Sequence, residues 1–169
     1  MSDTKTFFIF HGDDDISIDQ ALAKMRTAMG DDGDMNTSEF DGAETPVPDV
    51  LGAAKSFPFL SDKRLVIVRG LLRHITRKGS GETGKKAVAR LIEDLPTLPE
   101  YARLVMIERE TLPDNNKVLK ASRNMENAYI GKFEKPQNLT GWIINRAKNE
   151  YQAEILPQAA QAIADVVNE

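Results

Sequence analysis

"RLVIV", residues 64–68, is the stretch on which the fold turns. Val66, Ile67 and Val68 set three β-branched residues in a row, a composition that favours a strand. The run has no polar alternation, so it suits a strand covered on both faces, as in a parallel sheet. Working outward, similar runs recur. "TFFIF" (6–10) lies before it, and "RLVMI" (103–107) and "AYIGKF" (128–133) lie after it. "NTSEF" (36–40) is a more polar strand and is expected near a sheet edge.

Helical periods fill the gaps. Ser17 and Gln20 form a capping box, and Ile18, Leu22, Met25 and Met29 follow on one stripe, with Gly30 as the stop. Thr45-Pro46 opens a second helix, with Pro46 in the first turn, where a missing N–H costs nothing. Val47, Val50, Leu51 and Ala54 give that helix its apolar side, and "SFPFLS" ends it. A basic, glycine-rich loop is expected after residue 68. Val88, Leu91, Ile92 and Leu95 then mark a third helix, closed by Pro96. Asp114 is the expected cap of a fourth, which carries Val118, Leu119, Ser122 and Met125. The order βαβαβαβαβ predicts an α/β domain, a five-stranded parallel sheet flanked by helices.

Beyond Lys135-Pro136 the strand signal stops. Thr140 is expected to cap a helix containing Trp142, Ile143 and Ala147. A second helix runs from about Leu156, with Pro157 in its first turn, through Ala160, Ile163 and Val167. The reading is therefore an α/β domain over 1–137 and the beginning of a small helical domain over 138–169.

Composition narrows the class. The 169 residues are 41% hydrophobic and 28% charged, with a net charge of −4, ordinary for a folded soluble domain. No apolar run is long enough to span a bilayer, and the first residues lack the apolar region of a signal peptide. The chain reads as cytoplasmic, with no membrane partner. It has no cysteine, and its two histidines, His11 and His74, offer little for a metal. Both are expected to be surface or partly buried imidazoles. Acidic residues crowd 11–50, where only Lys24 and Arg26 oppose them. Arg69, Arg73, Arg77, Lys78, Lys85, Lys86 and Arg90 reverse the balance against Glu82.

"GSGETGKK" (79–86) nearly matches a phosphate-binding loop, G-x-x-x-x-G-K-[ST], but Lys86 stands where the magnesium-binding hydroxyl belongs. Such a loop works when a buried strand delivers the chain straight into the glycine turn. Here Gly79 comes ten residues after the strand that ends near Arg69. After the first strand, where an α/β nucleotide domain would cradle phosphates, stands "FHGDDDIS", with three carboxylates and no lysine. The strand 64–68 ends in Arg69-Gly70, not in a carboxylate for Mg²⁺. The 79–86 stretch does open a helix, but it is expected to be a mobile basic loop and not a phosphate site. "DDGDMN" fails as a calcium loop, because Thr37 and Ala43 replace the required glycine and glutamate. Asp13, Asp14 and Asp15 are better explained by helix capping and the helix dipole. No catalytic residue, metal ligand or cofactor-binding residue is assigned.

Several stretches, in order, resemble one family. "FFIFHGDDD", "SEFDGAET", "AAKSFPFLSDKRLVIVRG", "RLVMIERETLPDNNKVLKA" and "LTGWIINRA" are similar to successive pieces of the delta subunit of the bacterial DNA polymerase III clamp loader. The resemblance covers nearly the whole chain. It implies an AAA+-like first domain without a working ATP site, then a helical lid; the family's third, collar domain has no counterpart here. It implies DNA replication as the role: binding the sliding clamp (the beta subunit) and helping to open it for loading on primed DNA. ATP would be hydrolysed by partner subunits of the holoenzyme; the other loader subunits, delta prime and gamma/tau, are implied as partners, and no cofactor of the chain's own is expected. The family's contact is a hydrophobic pair, usually Leu then Phe, after the second helix. Carried over, the clamp-binding residues are Phe57, Pro58, Phe59 and Leu60, with the order of the pair reversed and Phe57 additional. Whether Phe59 or Leu60 enters the clamp stays open, as does the alternative that these residues are core. Arg73, Arg77, Lys78, Lys85 and Lys86 are candidates for contact with DNA or a neighbouring subunit. Two other readings stand beside this one: a P-loop ATPase or nucleotide kinase using 79–86, and an α/β interaction domain unrelated to replication.

Overall fold

A computed structural model describes residues 5–167. Five strands form one parallel sheet: β1 (Phe7–Gly12), β2 (Thr37–Asp41), β3 (Arg64–Arg69), β4 (Ala102–Glu108) and β5 (Ala128–Phe133), in the order β2-β3-β4-β1-β5. The predicted α/β class and five-stranded parallel sheet are therefore present. The polar strand β2 is an edge, as its composition led one to expect.

Side chains alternate across the pleat and split the core into two layers. Val66, Val68, Leu104 and Met106 point to one face, where α2 (Val47–Lys55), α3 (Leu71–Thr76), α4 (Gly81–Asp94) and α5 (Lys117–Ser122) bring Leu51, Leu72, Leu91 and Leu119. Leu65, Ile67, Val105 and Ile107 point to the other, where α1 (Asp15–Thr27) brings Ile18 and Leu22. Leu65 to Val68 are all fully buried. Burying one such side chain contributes about 1.5–3 kcal/mol, so the apolar stretch that signalled the strand also anchors both layers.

Several local expectations are corrected. The stretch after β3 is not a loop: Leu71–Thr76 is a helix that buries Leu71, Leu72 and Ile75. Ser17 does not cap α1. The Asp14 carboxylate does, in keeping with the capping role read for the 13–15 acids, accepting from Ser17 N (3.1 Å) and Ser17 Oγ (2.5 Å); α1 starts at Asp15, so Ser17 lies inside the first turn and supplies one of its free amides. Asn116 rather than Asp114 caps α5, accepting from Val118 N and Leu119 N at 3.1 Å each, while Asp114 pairs with Arg123 at 2.7 Å.

The described residues divide into two compact units, one ending at Phe133 and one beginning at Glu134. The second contains α6 (Leu139–Tyr151) and α7 (Pro157–Val167). Asn138, not Thr140, caps α6 through Gly141 N (2.9 Å), and Thr140 Oγ1 instead meets Gln161 Oε1 on α7 at 2.7 Å. Arg146 lies 4.7 Å over the Trp142 ring. No helix among the described residues is long and apolar enough to cross a membrane.

Candidate functional site

Open parallel sheets hold ligands outside the carboxyl ends of their strands, where the strand order reverses. In this chain that place lies between β1 and β4, and the chain itself fills it. His11 is 3% exposed, deeper than the sequence reading expected, and its Nδ1 accepts the Leu112 N–H at 3.1 Å. Gly12 N donates to Glu110 O and Asp14 N to Phe133 O, both at 3.2 Å. These are amides that a phosphate loop would aim at its ligand. Gly12 has φ +140°, and a Cβ there would stand 1.7 Å from the Phe133 carbonyl oxygen. The acids that follow are equally occupied. Asp14 caps α1, and Asp15 and Asp19 hold Arg109 at 2.9 and 2.7 Å, which raises the guanidinium pKa further. At the end of β3, Arg69 donates to Glu39 at 2.6 Å. Arg26 and then Arg69 keep the Glu39 carboxyl below the usual range. No cluster among the described residues could hold a metal ion.

Glu108, at the end of β4, was not singled out by sequence reasoning. It is 2% exposed, and its Oε1 accepts the Leu72 N–H at 2.7 Å, capping α3. Burial pushes its pKa up to about 7, against the pull of the Leu72 and Arg73 amides and the Arg73 charge.

The 79–86 stretch is a helix start and not a mobile loop. Gly79 and Gly81, at φ +86° and +60°, turn the chain out of α3, and Gly81 to Lys86 wind the first turns of α4. Gly84 is a packing residue: a Cβ there would lie 2.2 Å from Ser80 Oγ and 2.5 Å from Ile75 O. Lys85 pairs with Glu82 at 3.0 Å. Arg77 and Lys86 line one cavity of about 680 Å³ with Pro46, Val47 and Leu71. Lys85 faces a neighbouring cleft beside Lys117, Arg73 pairs with Glu110, and Lys78 is exposed.

The "SFPFLS" segment is the opposite of a core element. Phe57 is 85% exposed, Phe59 58% and Leu60 78%, so the core alternative does not hold. Pro58 is half-buried between them. The stems of this loop are fixed by polar contacts. Tyr101 OH donates to Lys55 O (2.6 Å). Arg64 Nε donates to Ala53 O (3.2 Å) and Ser56 Oγ (3.1 Å), and its Nη2 reaches Ser38 Oγ (2.7 Å). The Phe57 ring lies 5.4 Å from the Tyr101 ring, tilted by 35°. Leu60 sits at φ +51°, a conformation side chains other than glycine adopt rarely. At the tip, Asn36 reaches across from the 3₁₀ turn Asp34–Asn36. Its Oδ1 accepts from Phe59 N (2.6 Å), and its Nδ2 donates to Phe59 O (2.8 Å). Nothing in the sequence around "DMNTS" marks this contact, which spans 23 positions.

Residues 8–128 match the family described as DNA polymerase III, delta subunit. The chain is 26% identical over 164 residues to DNA polymerase III subunit delta of Bacillus subtilis (strain 168), covering 95% of this chain and 47% of that relative. It thus spans about half the length of the curated relative it matches. In structure it is similar to the Bacillus subtilis DNA clamp loader delta protein, with TM-score 0.72, 24% identity, 93% of this chain and 47% of that one covered. That likeness supports the fold, and the match over 8–128 carries the assignment: the chain belongs to the DNA polymerase III delta subunit family.

Proposed function

We propose that this chain serves DNA replication as a clamp-loader delta subunit, docking on the sliding clamp and helping to open it for loading on primed DNA. Its first unit acts as an AAA+-like clamp-binding domain, 1–137 in the sequence division, and 138–169 begins the lid. The chain works in the cytoplasm with the other loader subunits, delta prime and gamma/tau, and ATP is hydrolysed by partner subunits. The observation that carries the reading is the exposed group Phe57, Phe59 and Leu60, with Pro58, at the position where the family resemblance puts the clamp contact. Large apolar side chains held out in water are anchors for a hydrophobic pocket, and a few such anchors supply most of an interface's energy.

The test is titration of the chain with the sliding clamp of its own organism, by calorimetry or interferometry. The parent should bind, and the Phe59→Ala/Leu60→Ala double variant should lose at least about thirtyfold in affinity, the loss of one hot spot. A parent that does not bind, or a double variant that binds fully, would sink the assignment. A lesser proposal concerns the basic residues. Arg77 and Lys86, which share a cavity wall, contact a neighbouring subunit or DNA, with Arg73, Lys78 and Lys85 contributing less.

A further inference from the structure

We propose that Asn36 is a positioning residue for clamp docking: its buried side-chain amide holds the backbone of Phe59 and so fixes the posture of the 57–60 tip. The inference rests on the docking reading above and adds to it a residue outside the apolar group.

The geometry is that of one rung of a β-ladder made by a side chain. The Phe59 backbone offers one donor and one acceptor, and the Asn36 amide offers the complementary pair, at 2.6 and 2.8 Å. The second Nδ2 hydrogen goes to Asp32 O at 3.1 Å. Asn36 is 1% exposed, while the residue it holds is 58% exposed. A buried amide with every donor used is costly to disturb. The pairing also fixes which amide atom is oxygen, because the opposite assignment would set oxygen against oxygen and N–H against N–H. Two further contacts hold the same loop: Tyr101 through the Lys55 carbonyl, and Arg64 through Ala53 and Ser56. Tyr101 also sets its ring against Phe57, and it is Asn36 that hydrogen-bonds the backbone of the tip. It also explains how Leu60 keeps its left-handed backbone, since the residue before it is pinned at both its N–H and its C=O. A tip ordered before binding avoids the entropy of ordering it on the partner, and that saving appears as affinity.

Two measurements on the full chain decide the matter. The first starts from the parent chain. Amide hydrogen exchange should find the Phe59 N–H protected, against the fast exchange of an exposed loop. It should become fast in Asn36→Ala while amides of β3 and β4 stay slow. The second is affinity for the sliding clamp. Asn36→Ala should weaken it about tenfold, the scale of ordering one or two side chains. In a Leu60→Ala background the same change should cost less, because a loosened tip has less to lose. Asn36→Asp, which keeps the acceptor but turns a carboxylate toward Phe59 O, should resemble Asn36→Ala. Fast exchange at Phe59 in the parent, or unchanged clamp affinity in a folded Asn36→Ala chain, would overturn the proposal. A parent that fails to bind the clamp would overturn the docking reading, and the exchange result would then report separately on whether Asn36 holds the tip.

Discussion

In the turn after β1, backbone meets backbone: Gly12 N with Glu110 O, Asp14 N with Phe133 O, and no room for one more carbon. In the loop before β3, polar groups from Asn36, Arg64 and Tyr101 grip the backbone from behind, while Phe57, Phe59 and Leu60 stand in water. The first region spends its hydrogen-bonding capacity on closing itself. The second uses it to hold apolar surface open. Sheets of this kind usually bind at the first place; the exposed apolar surface here lies at the second. Substitution in the turn should therefore cost fold, and substitution in the loop tip should cost binding.

The sharpest break comes from Gly12→Ala. With the new Cβ driven into the Phe133 carbonyl, stability should fall by about 3 kcal/mol or more, toward the top of the range for single substitutions. Urea unfolding followed by circular dichroism measures it, and a loss under about 1 kcal/mol would mean that the turn is not closed as described. The loop-tip change Leu60→Ala should leave stability within about 0.5 kcal/mol, as exposed positions do.

Glu108 sharpens the comparison next. Its folded pKa of about 7 lies above the ordinary 4.5, so between those pH values the folded chain holds a proton that the unfolded chain has released. Stability should accordingly fall as pH rises from about 4.5 to 7, by at most about 3 kcal/mol. Glu108→Gln keeps an oxygen for Leu72 N and should flatten this dependence. An unchanged pH profile in the variant would remove Glu108 as its source. Clamp affinity should be spared by Glu108→Gln, in contrast to the thirtyfold loss expected of the tip double variant. The smallest effect is expected at Lys85→Ala, whose partner Glu82 is exposed. Stability should move by less than about 0.5 kcal/mol. Lys85-dependent, Mg²⁺-dependent ATP binding by the parent would revive the nucleotide reading.

Much of the fold could be read directly. Val66 to Val68, and the Val47, Val50, Leu51, Ala54 stripe, carry periodicities that are properties of neighbouring residues. What stayed hidden has a different physical origin. "LLRHIT" is a six-residue helix, too short to display a period, and its basic flanks resemble a loop. The caps are not Ser17 and Asp114 because α1 starts at Asp15, which puts Ser17 inside its first turn, and α5 starts at Lys117, which puts Asp114 before the cap position. The exposed apolar group was found through resemblance, since apolar composition alone argues for burial. Asn36 and Glu108 act on residues 23 and 36 positions away, so their roles exist only once the sheet has formed.

For protein engineering, the closed turn after β1 dictates an order of operations. Installing a second glycine, a lysine and a hydroxyl at positions 17–19, after "HGDDDI", would supply the letters of a phosphate loop without a phosphate's worth of free amides. The carbonyls of Glu110 and Phe133 would first have to be led away, which means rebuilding the exits of β4 and β5. Nucleotide binding at this position is several coordinated backbone changes distant, out of reach of any single substitution.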